Sequence, residues 1–202
     1  MIHQGGTAVL YAKGDQVLKV TRDPADNQLL KREAIALRTI AAEADPTLMP
    51  YIPRLIETLR VRGHRTNLIS RAPDGFVTLE RVGVRDPRDI AWIWRRLLVA
   101  VGVAHSTGIS HGAVLPRHVL VHPIEHGLIL VDWCRAGRDP SDDVLAVTRC
   151  VAALIDSPPV RMRTFVDGCL ARPPRDAWAL LKELDDLLED LYGPRTYRPL
   201  HL

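Results

Sequence analysis

The feature that most constrains the fold of this chain is a change from short strand-like runs to long helical patterns near residue 70. Four short runs rich in aliphatic residues occupy residues 8–11, 16–20, 55–59 and 67–70, while residues 27–42 carry apolar side chains at helical spacing. The first part of the chain therefore predicts a β-β-α-β-β order, with the strands paired antiparallel in one small sheet.

The rest of the chain predicts a mainly helical region. Helical periodicity covers residues 89–106, 142–155, 160–170 and 178–191, and two strand-like runs at 119–121 and 128–131 separate the first two of these helices. We therefore predict one α+β domain with two lobes, a small β lobe at residues 1–70 and a helical lobe at 71–202. A length of 202 residues suits a single domain of this kind.

Composition and charge exclude several classes of protein. A 47% apolar and 25% charged composition is typical of a globular domain, and a net charge of +3 is too small to indicate a nucleic-acid binder. The longest apolar run, residues 97–104, is much shorter than the about 20 residues of a membrane span. Without a signal peptide at the N-terminus, and with three widely spaced cysteines, the expected location is the reducing cytoplasm.

Lysine is scarce, so the position of each lysine is informative. Only four of the 27 basic Lys and Arg residues are lysines, and Lys19 lies within the strand-like sequence Val-Leu-Lys-Val. Such a lysine supplies a positive point charge for phosphate oxygens, and Glu33 on the following helix would hold it in place. Gly5 and Gly6 would let backbone N–H groups approach the same oxygens. Asp132, at the end of an apolar run, is a candidate ligand for a divalent ion.

The order of these motifs resembles that of the protein kinase family over nearly the whole chain. Residues 111–121, HGAVLPRHVLV, are similar to the catalytic loop HRDLKPENILL, and Asp132-Trp133-Cys134 occupies the place of the DFG motif. The resemblance implies a kinase-like fold, with Asp143 bracing the catalytic loop through a helix of the larger lobe. It also implies the following roles: nucleotide contacts for Gly5, Gly6, Val17, Lys19, Glu33 and the hinge residue Arg71, and metal contacts for Asp132 and His118.

Several departures from the kinase pattern affect the predicted activity. Ala113 stands where the family has the aspartate that accepts the proton of the substrate hydroxyl, and alanine has no group for this step. Leu115 and His118 replace the lysine and the metal-binding asparagine of the same loop. Only ten residues separate Asp132 from Asp143, which leaves no room for a peptide-docking segment. We therefore predict a minimal pseudokinase that binds ATP, with Mg²⁺ at Asp132, and acts on a protein partner.

Two alternative functions remain open. The first is an active atypical kinase for a protein or a small molecule, in which Asp139 or Asp142 serves as a substitute base. The second is a binder of an acidic partner or, less favoured, of nucleic acid, through arginines that cluster between residues 60 and 88. These arginines are Arg60, Arg62, Arg65, Arg71, Arg81, Arg85 and Arg88.

Overall fold

The computed structural model describes residues 3–4, 6–139 and 142–200, with the backbone alone for residues 3–4, and begins with a small β lobe. Its elements are β1 (His3–Gln4), β2 (Ala8–Lys13), β3 (Gln16–Thr21), α1 (Asn27–Glu43), β4 (Leu55–Val61) and β5 (His64–Ser70). The strands form one antiparallel sheet in the order β1-β2-β3-β5-β4. The predicted β-β-α-β-β order is therefore present, extended by the two-residue strand β1.

Side-chain alternation along β3 determines which residues face helix α1. Val17, Lys19 and Thr21 are buried, and the residues between them are half-buried. Because successive side chains of a strand point to opposite faces, the three buried residues share the inner face of the sheet. The helix α1 buries Glu33 among its apolar residues on the side that meets this face. The sheet and the helix therefore bring two charged residues into the interior of the small lobe.

The second lobe is built around one long helix. Its elements are β6 (Val77–Thr78), α2 (Pro87–Ser106), β7 (Val119–His122), β8 (Gly127–Leu130), α3 (Asp143–Ala152), α4 (Val160–Ala171) and α5 (Ala177–Tyr192). Asp86 caps α2 by accepting a hydrogen bond from the backbone N–H of Arg88, and Pro87 occupies the first helical position. Apolar residues surround α2 on nearly all sides, which is typical of a helix buried in the centre of a lobe.

A small antiparallel sheet of β6, β7 and β8 presents the loop segments of the site. The strands β7 and β8 pair from Val119 with Leu130 to His122 with Gly127. Beyond β8, the N–H of Val131 donates to the carbonyl oxygen of His118 at 2.8 Å, which holds Asp132 beside the loop that precedes β7. The sheet therefore holds the loop before β7 and the segment after β8 next to each other.

The structure differs from the sequence prediction at the end of α3. Helical periodicity extends to residue 155, but α3 ends at Ala152. The chain leaves the helix because Arg85 forms a short parallel bridge with Ile155, in which the N–H of Arg85 donates to Leu154 and its carbonyl accepts from Asp156, both at 2.8 Å. Hydrogen bonds to a distant segment thus replace the last helical turn.

The cysteines and the helices agree with the predicted absence of disulfides and membrane spans. Cys134, Cys150 and Cys169 are all free and buried. Among the residues that the structure describes, none of the helices has both the length and the apolar composition needed to cross a membrane.

We predict that the stability of the domain depends on the packing around α2. Leu97 is fully buried, so Leu97→Ala should lower the free energy of unfolding by about 2–5 kcal/mol, through lost transfer energy and the cavity that remains. Val160 is 77% exposed, so Val160→Ala should change it by less than about 0.5 kcal/mol. Urea unfolding followed by circular dichroism measures both values, and equal effects would contradict the central position of α2.

Candidate functional site

The centre of the candidate site is the ammonium group of Lys19. Its Nζ atom lies 2.8 Å from Oε1 of Glu33, 2.5 Å from Oδ1 of Asp132 and 3.2 Å from Sγ of Cys134. An ammonium group has three N–H donors, so these three contacts use its full donor capacity. The three predicted residues Lys19, Glu33 and Asp132 therefore meet in one place, although the chain separates the first from the last by 113 positions.

Buried charges in this cluster stabilise each other. Burial by itself would lower the pKa of Lys19, but the attraction of Glu33, Cys134 and Asp132 outweighs it and holds that pKa above its ordinary value. Burial would raise the pKa of Asp132, yet hydrogen bonding to His118 and the charge of Lys19 lower it well below the usual range. Lys19 and Asp132 therefore carry opposite charges over the whole physiological pH range.

Asn67 on β5 is a member of the site that the sequence does not reveal. Its amide nitrogen lies 2.9 Å from Oε2 of Glu33 and 2.9 Å from the carbonyl oxygen of Leu30. The side chain is fully buried and donates one hydrogen bond to each acceptor. Asn67 therefore fixes the second carboxylate oxygen of Glu33, and the only sequence signal for it is an asparagine within a strand-like run.

The loop at residues 111–113 is held by Asp143, as the resemblance implies. The N–H groups of His111 and Gly112 donate to Oδ2 and Oδ1 of Asp143 at 2.6 and 2.9 Å, and Nε2 of His105 lies 3.0 Å from Oδ2. Burial would raise the pKa of Asp143, but the hydrogen bond from His105 and the two backbone N–H groups lower it. An ionised, nearly inaccessible carboxylate thus organises the loop.

Gly112 must be glycine for two reasons. Its φ angle is +71°, and a Cβ atom at this position would lie 2.4 Å from the carbonyl oxygen of Arg135. The backbone of the loop therefore packs directly on the segment that follows Asp132.

His111 is buried in the loop as a neutral ring. Its Nε2 atom lies 3.0 Å from the carbonyl oxygen of Val131, and its Nδ1 atom accepts a hydrogen bond from the N–H of Ala113 at 3.2 Å. These partners assign the proton to Nε2. Burial is the main cause of a pKa lowered to about 4. At neutral pH, His111 therefore donates one hydrogen bond and accepts another, which connects the loop to Val131.

His118 links Ala113 to the charged cluster. Its Nδ1 atom lies 2.8 Å from the carbonyl oxygen of Ala113, and its Nε2 atom lies 3.1 Å from Oδ2 of Asp132. Through this ring, Ala113 belongs to the same constellation as Lys19. The position predicted to lack a base therefore lies beside the predicted phosphate and metal residues rather than elsewhere in the fold.

One group of potential metal ligands lies around the ammonium group of Lys19. In the described part of the chain, Glu33, Asp132 and Cys134 form a group of potential metal ligands, and Nζ of Lys19 contacts all three. Burial keeps the pKa of the Cys134 thiol far above its ordinary value, and hard Mg²⁺ prefers oxygen ligands in any case. The magnesium site at Asp132 and His118 stays a prediction.

The structure describes three of the four remaining predicted nucleotide contacts. Val17 is buried on β3 and pairs in register with Ile69. Arg71 directly follows β5, and its exposed side chain contacts Asp74 at 3.0 Å. A Cβ atom on Gly6 would meet no neighbour within 4 Å among the residues that the structure describes. Gly5 lies outside the described residues, and the roles of these four residues stay predictions.

The arginines of residues 60–88 do not share one set of contacts. Arg71 and Arg88 form ion pairs with Asp74 and Asp86 in their own segments. Arg60 lies opposite Arg65 across β4 and β5, where the two like charges repel each other.

The two candidate substitute bases, Asp139 and Asp142, are exposed.

Comparison with known proteins identifies the class of the fold. The chain has a protein kinase-like fold: the solved structure of vaccinia related kinase 3 matches 94% of this chain and 85% of its own, with a TM-score of 0.68 and 13% sequence identity. This finding confirms the predicted fold class, an antiparallel β lobe with one helix followed by a helical lobe.

Sequence comparison is more limited in extent. A 45-residue segment, 22% of this chain, is 42% identical to the casein kinase II subunit alpha' of Saccharomyces cerevisiae. The match spans 13% of the length of that curated relative. No family model matches the sequence.

We predict that His111 makes the stability of the domain depend on pH between 7 and 5. The folded state lowers the pKa of His111 from 6.5 to about 4, so in this range the unfolded chain binds more protons than the folded one. The stability contributed by neutral His111 is complete above pH 6.5 and falls as the pH drops, by about 2 kcal/mol between pH 7 and 5. Urea unfolding at several pH values measures this slope.

The variant His111→Gln tests the assignment. It removes the titrating group, so the free energy of unfolding should fall by about 2 kcal/mol less between pH 7 and pH 5 than in the wild type. This difference holds whatever the substitution does to the absolute stability. A slope equal to that of the wild type would show that another group is responsible.

Proposed function

We propose that this kinase-like domain binds a nucleotide and acts as a regulatory or scaffold module without transferring phosphate at ordinary kinase rates. The observation that carries the proposal is the position of Ala113, which is joined through His118 to Asp132 and hence to Lys19. A methyl group neither accepts a proton nor orients a hydroxyl group. The centre therefore combines a candidate phosphate-binding charge with an alanine at the position where kinases carry their base.

Nucleotide binding is supported by the retained lysine. A phosphate oxygen that replaces one acceptor of this ammonium group meets a side chain already held by the others, so little conformational freedom is lost on binding. The left-handed backbone at Asp132, with φ of 66°, points its carboxylate towards Lys19 rather than away from it. Both features support a site that recognises phosphate charge.

The proposal of a protein partner is supported by the short connection after Asp132. Ten residues lead from Asp132 to α3, and part of this stretch pairs Gly137 with Ser110 through two backbone hydrogen bonds of 3.0 Å. The described part of this connection lies against the loop at residues 110–112 instead of forming a separate platform for a peptide substrate. We therefore propose that a nucleotide-dependent state of the domain is recognised by another protein.

We predict that ATP raises the melting temperature of the wild-type protein in buffer with Mg²⁺, with EDTA, or in both. A concentration of a hundred times Kd should stabilise the folded state by about 2.7 kcal/mol, which corresponds to about 5–10 °C for a domain of this size. Lys19→Met should remove the rise. Lys31→Met, which changes an exposed lysine on α1, is the matched control and should retain it. The absence of any shift in both buffers would refute nucleotide binding.

We also predict that γ-labelled ATP transfers no phosphate to the protein or to a general acceptor in a manner that depends on Asp132. Wild type and Asp132→Asn should give the same background in a radiolabel assay, because Ala113 supplies no base. Transfer that Asp132→Asn removes would favour the alternative of an active atypical kinase. Loss of that transfer in Asp139→Asn or Asp142→Asn would then identify the substitute base.

A further inference from the structure

A partly enclosed cavity of about 340 Å³ lies in the second lobe and shares no lining residue with the candidate functional site. It is bounded by the first turns of α2, the last turns of α5 and the segment at residues 193–198. Its volume falls within the range of about 300–1,000 Å³ that is typical of small-molecule sites. The cavity is therefore large enough for a small ligand, in a place that the proposed nucleotide site does not use.

Helical spacing builds one wall of this cavity. Arg88, Ala91 and Arg95 follow each other at intervals of three and four residues, so they share one face of α2. At Gly193 the backbone has a φ angle of +75°, which ends α5, and the proline that follows cannot continue the helix. The chain turns back at this point, and Arg198 therefore lines the same cavity as the residues of α2.

The four arginines that line the cavity form ion pairs with only three carboxylates among the described residues. The pairs are Arg88 with Asp86, Arg198 with Asp89, and both Arg95 and Arg195 with Asp185. Because one carboxylate is shared by two guanidinium groups, these ion pairs leave one positive charge in excess. The lining of the cavity therefore favours a negatively charged ligand.

Arg95 and Arg198 keep unused hydrogen-bond donors. Each donates to its carboxylate through Nε, and in the part of the chain that the structure describes their Nη atoms have no protein acceptor. A guanidinium group carries five N–H donors, and its planar fork suits the oxygens of a phosphate or a carboxylate. The cavity therefore offers an anion both positive charge and directed donors.

Most of the remaining lining is apolar. Ala91 on α2, Leu188 on α5 and Pro194 contribute carbon atoms, and the ring of Tyr192 lies with its centroid 5.9 Å from the guanidinium carbon of Arg88. An inorganic anion would leave this apolar surface exposed to water, whereas an organic group attached to the anion would cover it. A phosphate group also has three acceptor oxygens that point in different directions, so it can meet guanidinium groups from several sides.

We propose that this cavity binds a small organic phosphate monoester. The phosphate group contacts Arg95, Arg195 and Arg198, and the organic group packs against Leu188 and Tyr192. Two of these three arginines belong to the segment at residues 193–198, so the bound ligand holds this segment against α2. The cavity is separate from the proposed nucleotide site, and neither proposal depends on the other.

Isothermal titration calorimetry with phenyl phosphate tests the site. Phenyl phosphate should bind the wild type, and Arg195→Gln should raise its Kd by about tenfold or more, because a charged hydrogen bond to the phosphate is lost. Arg195 is 65% exposed and shares its carboxylate with Arg95, so the substitution leaves that carboxylate paired. Arg161→Gln removes an exposed arginine that pairs with Asp190 outside the cavity. It is the matched control and should keep the Kd of the wild type.

Inorganic phosphate and phenol test the two parts of the ligand separately. Both should bind more weakly than phenyl phosphate, because each lacks one of the two groups that the lining accommodates. Inorganic phosphate that binds as tightly as phenyl phosphate would overturn the assignment of an organic ligand. Phenol that binds as tightly as phenyl phosphate would overturn the assignment of an anion site.

Three results contradict the proposal as a whole. The first is a wild type that binds no phenyl phosphate at millimolar concentration, and the second is an equal affinity of Arg195→Gln and Arg161→Gln. The third is binding that Lys19→Met removes and Arg195→Gln leaves unchanged, which would place the phosphate in the proposed nucleotide site. Circular dichroism establishes that each variant folds, and Arg198→Gln replaces Arg195→Gln if the latter unfolds.

Discussion

The interaction on which the rest of the site depends is the placement of one buried ammonium group among three acceptors. Lys19 comes from the sheet, Glu33 from the helix of the small lobe, and Asp132 from the far end of the small sheet in the second lobe. Removing one partner of a buried ion pair leaves an uncompensated charge, a loss of about 3–5 kcal/mol in comparable cases. The pairings therefore tie the two lobes together, and the geometry of the site follows from this connection.

A second buried carboxylate organises the loop that faces the ammonium group. Asp143 accepts hydrogen bonds from two consecutive backbone N–H groups, and His111 spans the loop to the carbonyl oxygen of Val131. This framework is suited to hold a catalytic group rigidly, because rigid supports are what position reacting atoms. Here it holds the methyl group of Ala113. The hydrogen bonds that hold the loop thus do not depend on a catalytic group, because they are present here around an alanine.

Local patterns in the sequence were sufficient to find Lys19, Glu33 and Asp132. Lys19 and Glu33 lie on regular elements, indicated by alternation in a strand and by helical spacing, and Asp132 is the polar end of the apolar run that includes β8. Asn67 and Cys134 gave no comparable signal, because their roles come from contacts between elements that are distant in sequence. The end of α3 was predicted too late for the same reason, since hydrogen bonds to Arg85 compete with the last helical turn. The two-residue strands β1 and β6 are too short for any periodicity to indicate.

The resemblance to kinases located His118 as a metal residue, and the ring lies between the carbonyl oxygen of Ala113 and the carboxylate of Asp132. A metal ligand needs a free lone pair directed at the ion, whereas both nitrogens of His118 are directed at oxygen acceptors. The alanine at position 113 and the histidine at position 118 also act together, because the carbonyl oxygen of the first holds the ring of the second. Through this ring, the carbonyl oxygen of Ala113 is connected to the carboxylate of Asp132. The site therefore keeps its buried ammonium group and the supports of its loop, while the side chain at position 113 offers no group that accepts a proton.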